Sequence, residues 1–375
     1  MNNSISYIIL LLILVLPACS VTKGPLYAEG EIAGQIIGAN LDSNIAKHTL
    51  APSIDEPAEL GLHREFLERS IDTIPNPDQL KYLVEQGSPD FASIVYARAL
   101  LNEPNNYHWH TQSQQLGDRI NDRNIKNRLK QAFERHHALL IPGWHWKTRS
   151  DTGADLSFQR RILASFGLQS TLIETNEHGS VEENGTLIAQ AIKDANNLNK
   201  SVVLISVSKG GADTAYALGS VLDATETPYL KGWLNIGGII AGSTLVDISM
   251  DDPKRWLRSI GFSEDTPTSA FLDLNTTASS ERLGALDFPS EVTVVNYVAM
   301  PFASSVNDKS KHSYTMLSDY GPNDGAALIH EMLVPEAHTV LEIGLDHYMR
   351  SRRAMNRALS LLMMIMECDQ ESGCE

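Results

Sequence analysis

The 375-residue sequence predicts an α/β protein with a mostly parallel sheet, a helical N-terminal extension and a helical lid-like insert. Two observations predict this class. From residue 135 onward, short apolar segments alternate with segments whose apolar residues recur at helical spacing. These apolar segments are continuous rather than alternating, as in parallel strands that are buried on both faces. Reactive side chains are therefore expected at the carboxyl ends of the strands.

The charge of the chain excludes one class of partner. The formal net charge is -16 at pH 7. Binding to nucleic acid requires a basic surface that can neutralise phosphates, so a nucleic-acid partner is not expected. The length is sufficient for one large domain, or for one domain with an extension.

The N-terminus predicts export. Residues 8–16 form an unbroken apolar run that has the length of a signal-peptide core and is short for a membrane span. The run ends in a Leu-Pro-Ala-Cys sequence at Cys19, which resembles a bacterial lipoprotein signal. The resemblance implies removal of residues 1–18 and lipidation of Cys19, and hence a membrane-anchored protein of the bacterial cell envelope. An ordinary signal peptide or a short anchor helix is the alternative.

Two N-terminal segments follow the leader. Residues 19–57 show little periodicity and are rich in Gly, Asn, Asp and Ser, so we predict an extended tether. Residues 58–134 place apolar residues at helical spacing, so we predict a helical N-terminal region. His108 and His110 lie between helical segments of that region. We interpret them as a surface pair on a loop and assign them no role.

The α/β region is predicted to span residues 135–367. The predicted strands lie at 137–144, 169–173, 202–207, 233–238, 292–298 and 338–343, and the predicted helices at 156–166, 182–196 and 350–366. Between 243 and 290 the alternation lapses. Because this insert follows the carboxyl end of a strand, we expect it to lie over the site as a lid or substrate wall. Residues 368–375 form an acidic tail, in which Cys368 and Cys374 could pair in an oxidising compartment.

The strand at 202–207 leads into a serine-glycine turn and then a helix. The sequence Ser206-x-Ser208-x-Gly210 approximates the G-x-S-x-G nucleophile elbow, with Ser in place of the first Gly. In such an elbow a strained turn lifts the central serine above the sheet. We therefore predict Ser208 as the nucleophile. A Ser/Gly turn in a buried βα unit is the alternative.

A base and an acid are expected to follow Ser208 along the chain. His347 comes directly after the last predicted strand, at the edge of the sheet where it can accept the Ser208 proton. Asp324, in an Asn-Asp-Gly turn, is predicted to orient His347, and we expect that turn to leave the carboxylate exposed. Asp319 and Asp308 lie on the same connection and are the alternatives.

Two backbone N–H groups are predicted to form an oxyanion hole. One belongs to Lys209, the residue after the nucleophile, at the start of the following helix. The other belongs to Trp144, in the Pro142-Gly143-Trp144 loop after the first predicted strand. A simple Pro-Gly turn that ends the strand is the alternative for this loop.

Taken together, these motifs resemble the α/β-hydrolase superfamily, and within it the secreted lipases and esterases, over about residues 135 to 366. The resemblance is carried by Pro142-Gly143-Trp144, Ser206-x-Ser208-Lys209-Gly210-Gly211, Asp324-Gly325 and Asp346-His347. It implies a sheet of the α/β-hydrolase type and a serine hydrolase that cleaves a small-molecule or lipid ester. No metal or organic cofactor is expected to take part.

Three other functions remain open from the sequence. A peptidase or amidase could use the same side chains, and a catalytically silent lipoprotein could use the fold for binding. Ser206 to Lys209 also matches the S-x-x-K signature of penicillin-binding proteins and β-lactamases, which would make Ser206 the nucleophile. We disfavour this last hypothesis because that motif should open a helix and no K-T-G sequence follows it.

Overall fold

The computed structural model describes residues 24–52, 73–259, 263 and 265–368. The predicted signal peptide and its Cys19 lie outside these residues, as does most of the acidic tail. Cys368 is disulfide-bonded. Its pairing with Cys374 stays a prediction, because Cys374 is not among the described residues.

The elements are numbered in chain order over the described residues. The strands are β1 (Tyr27–Ile32), β2 (Gln35–Asn40), β3 (His136–Ile141), β4 (Gln169–Leu172), β5 (Ser201–Val207), β6 (Leu230–Ile236), β7 (Thr293–Met300) and β8 (His338–Ile343). The helices are α1 (Asn44–Leu50), α2 (Pro77–Gln86), α3 (Pro89–Asn102), α4 (Pro104–Asp118), α5 (Arg123–Arg135), α6 (Ser157–Ser165), α7 (Val181–Ala195), α8 (Lys209–Tyr216), α9 (Thr244–Ser249), α10 (Pro253–Ser259), α11 (Ser269–Leu272), α12 (Thr276–Gly284), α13 (Lys311–Ser318) and α14 (Arg352–Glu367).

A six-stranded parallel sheet with strand order β4-β3-β5-β6-β7-β8 forms the centre of the fold. All six carboxyl ends therefore lie along one edge. Each strand overlaps one of the predicted strands, so the predicted α/β class with a parallel sheet is confirmed.

Both faces of the sheet are covered, which explains the continuous apolar strands. On β5, Val203 and Ile205 belong to a buried cluster that includes side chains of α5 and α14. The alternate residues Val202 and Leu204 belong to a second cluster, which includes side chains of α7 and α8. Successive side chains on a strand point to opposite faces, so a strand between two helical layers must be apolar at every position.

The segment from 24 to 52 differs from the predicted tether. Strands β1 and β2 form an antiparallel hairpin, and α1 follows it. Ile32, Ile37 and Leu50 are buried in the same cluster as side chains of α3. The pattern was missed because each strand has only six residues, and because β2 buries a Gln and exposes an Ile, the reverse of what a simple alternation predicts.

The described part of the N-terminal region contains α2 to α5, in agreement with the predicted helical spacing. The prediction of a surface pair on a loop for His108 and His110 was wrong. Both residues lie on α4, where His110 is buried and the neighbouring Trp109 stacks on His338 with ring centroids 4.9 Å apart. A polar composition had concealed the helix, although Pro104 at its first position is a favourable start.

The insert after β6 contains helices α9 to α12 in its described residues. Phe271 on α11 stacks on Trp144, in the loop after β3, with ring centroids 5.6 Å apart. Phe271 also stacks on Trp256 of α10 at 4.7 Å. The insert is thereby anchored at the carboxyl edge of the sheet. Among the described residues, no helix combines the length and the apolar character that a membrane crossing requires.

Candidate active site

Ser208 lies on a strained turn between β5 and α8. Its backbone has φ +54° and ψ −127°, which is unfavourable for a residue with a side chain. Three backbone hydrogen bonds hold the turn: Ser208 N donates to Ile236 O (3.2 Å), and Ser208 O accepts from Gly211 N (2.9 Å) and Ile239 N (3.1 Å). This geometry is the expected elbow, with the side chain at the end of the strand rather than within it.

Small residues are required where the elbow meets the loop after β3. A Cβ atom at Gly210 would lie 2.5 Å from the carbonyl oxygen of Pro142. A Cβ atom at Gly143 would lie 3.2 Å from the Cβ of Ser208. The Pro142-Gly143-Trp144 loop therefore packs directly against the turn that carries Ser208.

Ser206 occupies a different environment from Ser208. It is fully buried in β5, where its hydroxyl accepts a hydrogen bond from Trp233 Nε1 (2.8 Å) and donates one to Asn235 Oδ1 (3.3 Å). The replacement of the first Gly of the elbow thus adds a buried hydrogen bond between neighbouring strands. A serine held in this way is not available to attack a substrate, which disfavours the S-x-x-K alternative.

Ser208, His347 and Asp324 come together at the carboxyl edge of the sheet. His347 Nε2 lies 3.2 Å from Ser208 Oγ, and His347 Nδ1 lies 2.5 Å from Asp324 Oδ2. An ionised carboxylate only accepts hydrogen bonds, so His347 carries its proton on Nδ1 and its lone pair on Nε2. In this tautomer Nε2 can accept the proton of the Ser208 hydroxyl.

The expected exposure of Asp324 was wrong, because its side chain is fully buried. Its Oδ1 accepts hydrogen bonds from Ala326 N (2.8 Å) and Ala327 N (3.2 Å), and its carbonyl oxygen accepts one from His347 N (2.9 Å). The turn therefore folds inward around the carboxylate. Its backbone N–H groups replace the water molecules that would donate hydrogen bonds to an exposed carboxylate.

The charges around His347 favour its protonated form. Burial alone would lower the pKa of His347, but the charge and hydrogen bond of Asp324 more than offset it, with a contribution from Asp346. The net pKa of His347 lies above its ordinary value of 6.5. Asp346 itself is held by Asn307, whose backbone N–H donates to its Oδ2 at 3.0 Å. The role of Asp346 was not predicted, because the sequence shows only that the two residues are adjacent.

The alternative acids lie elsewhere on the connection between β7 and β8. Asp319 ends α13 and is exposed, and Asp308 is exposed in the preceding loop. Among the three aspartates considered from the sequence, Asp324 is the one hydrogen-bonded to His347.

A buried ion pair lies directly under the elbow. Lys209 Nζ donates to Asp213 Oδ1 at 2.6 Å, and both side chains are at most 3% exposed. Asn184 on α7 donates to the other carboxylate oxygen at 3.0 Å. Burial raises the pKa of Asp213 to about 6, and Lys209 opposes this shift. From the sequence we predicted only a backbone role for Lys209, although the i,i+4 spacing of Lys209 and Asp213 on one helix is a visible signal.

Comparison with known proteins identifies solved structures with a similar fold. No family model matches the chain, and no curated protein sequence matches it. Among solved structures, the metagenomic carboxyl esterase MGS0156 is similar with 20% identity and a TM-score of 0.50, over 62% of this chain and 75% of that one. The lipase BlEst2 of Bacillus licheniformis, in its mature form, has 20% identity and a TM-score of 0.45, over 56% of this chain and 84% of that one. Phospholipase PlaB of Legionella pneumophila has 16% identity and a TM-score of 0.39, over 53% and 46%. The likeness to MGS0156 concerns the fold, which is of the α/β-hydrolase type.

Proposed function

We propose that the protein is a serine hydrolase that cleaves a carboxylic ester through an acyl-enzyme. The observation that carries this proposal is the continuous hydrogen-bonded chain from Asp324 through His347 to Ser208, with the serine on a strained turn. A nucleophile, a base and a group that orients the base are the requirements for serine-based acyl transfer.

In the proposed reaction, Ser208 Oγ attacks the ester carbonyl carbon while its proton moves to His347 Nε2. The imidazolium, stabilised by the Asp324 carboxylate, then donates that proton to the departing alkoxide as the carbon–oxygen bond breaks. The acyl group remains on Ser208. A water molecule repeats the two steps, with His347 accepting its proton and returning it to Ser208 as the carboxylic acid leaves.

The backbone N–H groups of Lys209 and Trp144 are proposed to stabilise the oxyanion. Lys209 is the first residue of α8, where backbone N–H groups have no acceptor within the helix and the helix dipole is positive. Trp144 follows Gly143, whose close approach to Ser208 brings that loop to the reacting centre. Two such donors are the usual arrangement for acyl transfer.

An ester is the proposed substrate class. The structurally similar MGS0156 is a carboxyl esterase. Peptidase or amidase activity on the same side chains is the alternative outcome. Three stacked aromatic side chains connect the loop beside Ser208 to the insert: Trp144 on the loop, and Phe271 and Trp256 on the insert. We propose that this stack forms an apolar wall of the acyl-binding site.

A fluorophosphonate probe combined with a set of p-nitrophenyl esters of graded chain length tests the proposal. The parent protein and the Ser206→Ala variant should label and hydrolyse esters, because Ser206 is buried away from the site. Ser208→Ala should not label and should lose about 10⁴-fold or more of kcat. Labelling of Ser208→Ala would contradict the proposal. A parent protein that does not label would identify a binding protein, and turnover of peptide amides in preference to esters would identify a peptidase.

We also propose that the protein is exported and anchored to a membrane through a lipid on Cys19. The apolar run at 8–16, the Leu-Pro-Ala-Cys sequence and the disulfide at Cys368 support export to an oxidising compartment. Metabolic labelling with a palmitate analogue should mark the parent protein but not Cys19→Ser. An unlabelled parent, in a host with the lipoprotein pathway, would disprove the anchor.

A further inference from the structure

Three side chains of the types that bind metal ions meet beside the loop that carries Trp144. His145, Glu177 and His178 each offer a nitrogen or oxygen ligand atom, and these atoms lie within 4.8 Å of one another. This cluster was not predicted from the sequence, because His145 lies 32 residues before Glu177 and no spaced histidine motif joins them.

Glu177 is fixed in place by the loop after β3. Its Oε2 accepts hydrogen bonds from Lys147 N (3.1 Å) and from Thr148 N (3.1 Å). Its other oxygen, Oε1, lies 3.6 Å from His178 Nε2. One side of the carboxylate is therefore held by the backbone, and the other is directed toward the imidazole, as in ligands whose orientation is set by surrounding hydrogen bonds.

Thr148 determines the tautomer of His145. The Thr148 hydroxyl lies 3.2 Å from Glu177 Oε2 and 2.8 Å from His145 Nδ1. A carboxylate can only accept, so the hydroxyl donates its proton to Glu177 and must accept from His145 Nδ1. His145 consequently carries its lone pair on Nε2, which is the form that binds metal ions.

The imidazole rings of His145 and His178 lie next to each other. The rings of His145 and His178 have centroids 4.7 Å apart at an interplanar angle of 71°. The side chain of His178 is 30% exposed, so solvent and ions can reach the cluster.

We propose that His145, Glu177 and His178 form a binding site for Zn²⁺, with a water molecule as fourth ligand. Two imidazole nitrogens and one carboxylate oxygen are a recognised zinc ligand set. Ligands about 2.1 Å from a tetrahedral ion are about 3.4 Å apart, so the 3.6 Å between His178 and Glu177 already fits, and small side-chain rotations close the rest. With two imidazoles and a single carboxylate, the site does not offer the oxygen-rich ligand set that Ca²⁺ and Mg²⁺ prefer.

The ion would join two loops at the edge of the sheet. His145 follows Trp144 in the loop after β3, whereas Glu177 and His178 lie in the connection from β4 to α7. Bound zinc would therefore restrain the loop that carries a proposed oxyanion donor. This effect on activity rests on the proposed function, but zinc binding itself does not.

Calorimetric titration of the full chain, without a histidine tag and stripped with a chelator, tests the site. ZnCl₂ should bind the parent protein and Ser208→Ala with one equivalent per chain, and CoCl₂ should give the strong visible absorption of a low-coordinate Co²⁺ site. His178→Ala and Glu177→Gln should each weaken zinc binding by about 100-fold or more. In Glu177→Gln the amide oxygen can still accept the loop hydrogen bonds, so a loss there reports on the ligand charge rather than on folding.

The control is His312→Ala, which removes an exposed histidine outside the cluster and should bind zinc as the parent does. Equal zinc affinity of His178→Ala and the parent, a comparable loss in His312→Ala, or absence of binding by the parent up to millimolar zinc would each overturn the proposal. Because binding is measured without substrate, a protein that binds zinc but does not hydrolyse esters contradicts only the proposed function.

Discussion

Asp324 shows how much a single buried side chain determines at this site. Its two carboxylate oxygens have separate partners: Oδ1 accepts from the backbone of its own turn, and Oδ2 accepts from His347. Burial removes water as a hydrogen-bond donor to the carboxylate. These protein donors replace it, so the carboxylate can remain charged while buried. That charge in turn fixes the tautomer of His347 and raises the pKa of His347.

Replacement of Asp324 by Asn should reduce kcat by roughly 10⁴-fold, because an amide directed at His347 Nδ1 donates its own proton and leaves the lone pair on the wrong nitrogen. In the parent, kcat/KM should rise with pH through an apparent pKa above 6.5, as His347 loses its proton. The residual activity of Asp324→Asn should follow a lower pKa, because the negative charge is gone. Rate profiles from pH 5 to 9 measure both effects.

Asp319→Asn is the matched control, since this aspartate is exposed and lies on the same connection. It should retain the parent profile. A defect in Asp319→Asn with normal activity in Asp324→Asn would reassign the acid.

Ser208, His347 and Asp324 were predicted from the sequence, because each follows a recognisable strand or turn and the chain order limits the choices, and the structure brings the three side chains within hydrogen-bonding distance. The sequence did not reveal what surrounds them. The burial of Asp324 depends on how its own turn folds inward, and the meeting of His145 with Glu177 depends on two loops that are distant along the chain. The spacing of apolar residues predicts which face of a helix or strand is buried. It does not predict which loop packs against that face.

At the scale of elements, long and regular patterns were predicted well. The six strands of the sheet and the helices α6, α7 and α14 begin and end within a few residues of the predicted ranges, because continuous apolar strands and amphipathic helices are strong signals. The β1-β2 hairpin and α4 were missed. Their patterns are short or polar, and their burial is set by contacts with α3, β8 and α14.

A buried charged network joins β8 to α14 and is the main polar feature of that face. Arg357 lies 3.3 Å from Glu342, and Tyr297 donates its hydroxyl hydrogen to the same carboxylate at 2.7 Å. Arg357 and Glu342 are both nearly inaccessible to solvent. Arg357 also donates to Leu341 O at 3.0 Å. Arg353, which is about half exposed, lies 2.6 Å from the other oxygen of the Glu342 carboxylate. Loss of Arg357 would therefore remove the buried cation of the network and leave the more exposed one.

Arg357→Ala should lower the free energy of unfolding by about 1.5–3 kcal/mol, because Glu342 would lose a buried charged partner but keep Arg353. Arg128→Ala is the matched control: its ion pair with Glu367 is 2.6 Å long but exposed, so its removal should cost about 0–1 kcal/mol. Urea denaturation of both variants measures the difference. If both variants lost a similar free energy of unfolding, burial would not explain how much each ion pair contributes to stability.

At the scale of the whole molecule, a pair of carboxylates connects the N-terminal hairpin and α1 to the α/β body. Asp42 N donates to Asp90 Oδ2 (2.9 Å), and Asp90 N donates to Asp42 Oδ2 (3.0 Å). Asp90 Oδ1 accepts from Ala303 N (2.8 Å), in the loop after β7. Asp90 thus holds together the N-terminal segment, α3 and the edge of the sheet that bears the candidate site.

This junction should make the stability of the protein depend on pH. Burial, and then the charge of Asp42, raise the pKa of Asp90 from 3.8 to about 7. A carboxyl group with a raised pKa binds its proton more tightly in the folded state, so its contribution to stability is present at low pH and is lost as the pH rises through 7. Relative to Asp90→Asn, which imitates the protonated form, the parent should lose about 3 kcal/mol of unfolding free energy between pH 5 and pH 8.

Urea denaturation of the parent and Asp90→Asn at several pH values isolates this contribution, because other titrating groups are common to both proteins and cancel in the difference. Asp319→Asn, at an exposed position, should show no such trend against the parent. If the stability difference between parent and Asp90→Asn stayed constant from pH 5 to pH 8, Asp90 would not be the group that loosens the junction. A difference that grows with pH, in contrast, would mean that the acidic side of the pH range favours attachment of the N-terminal segment to the body.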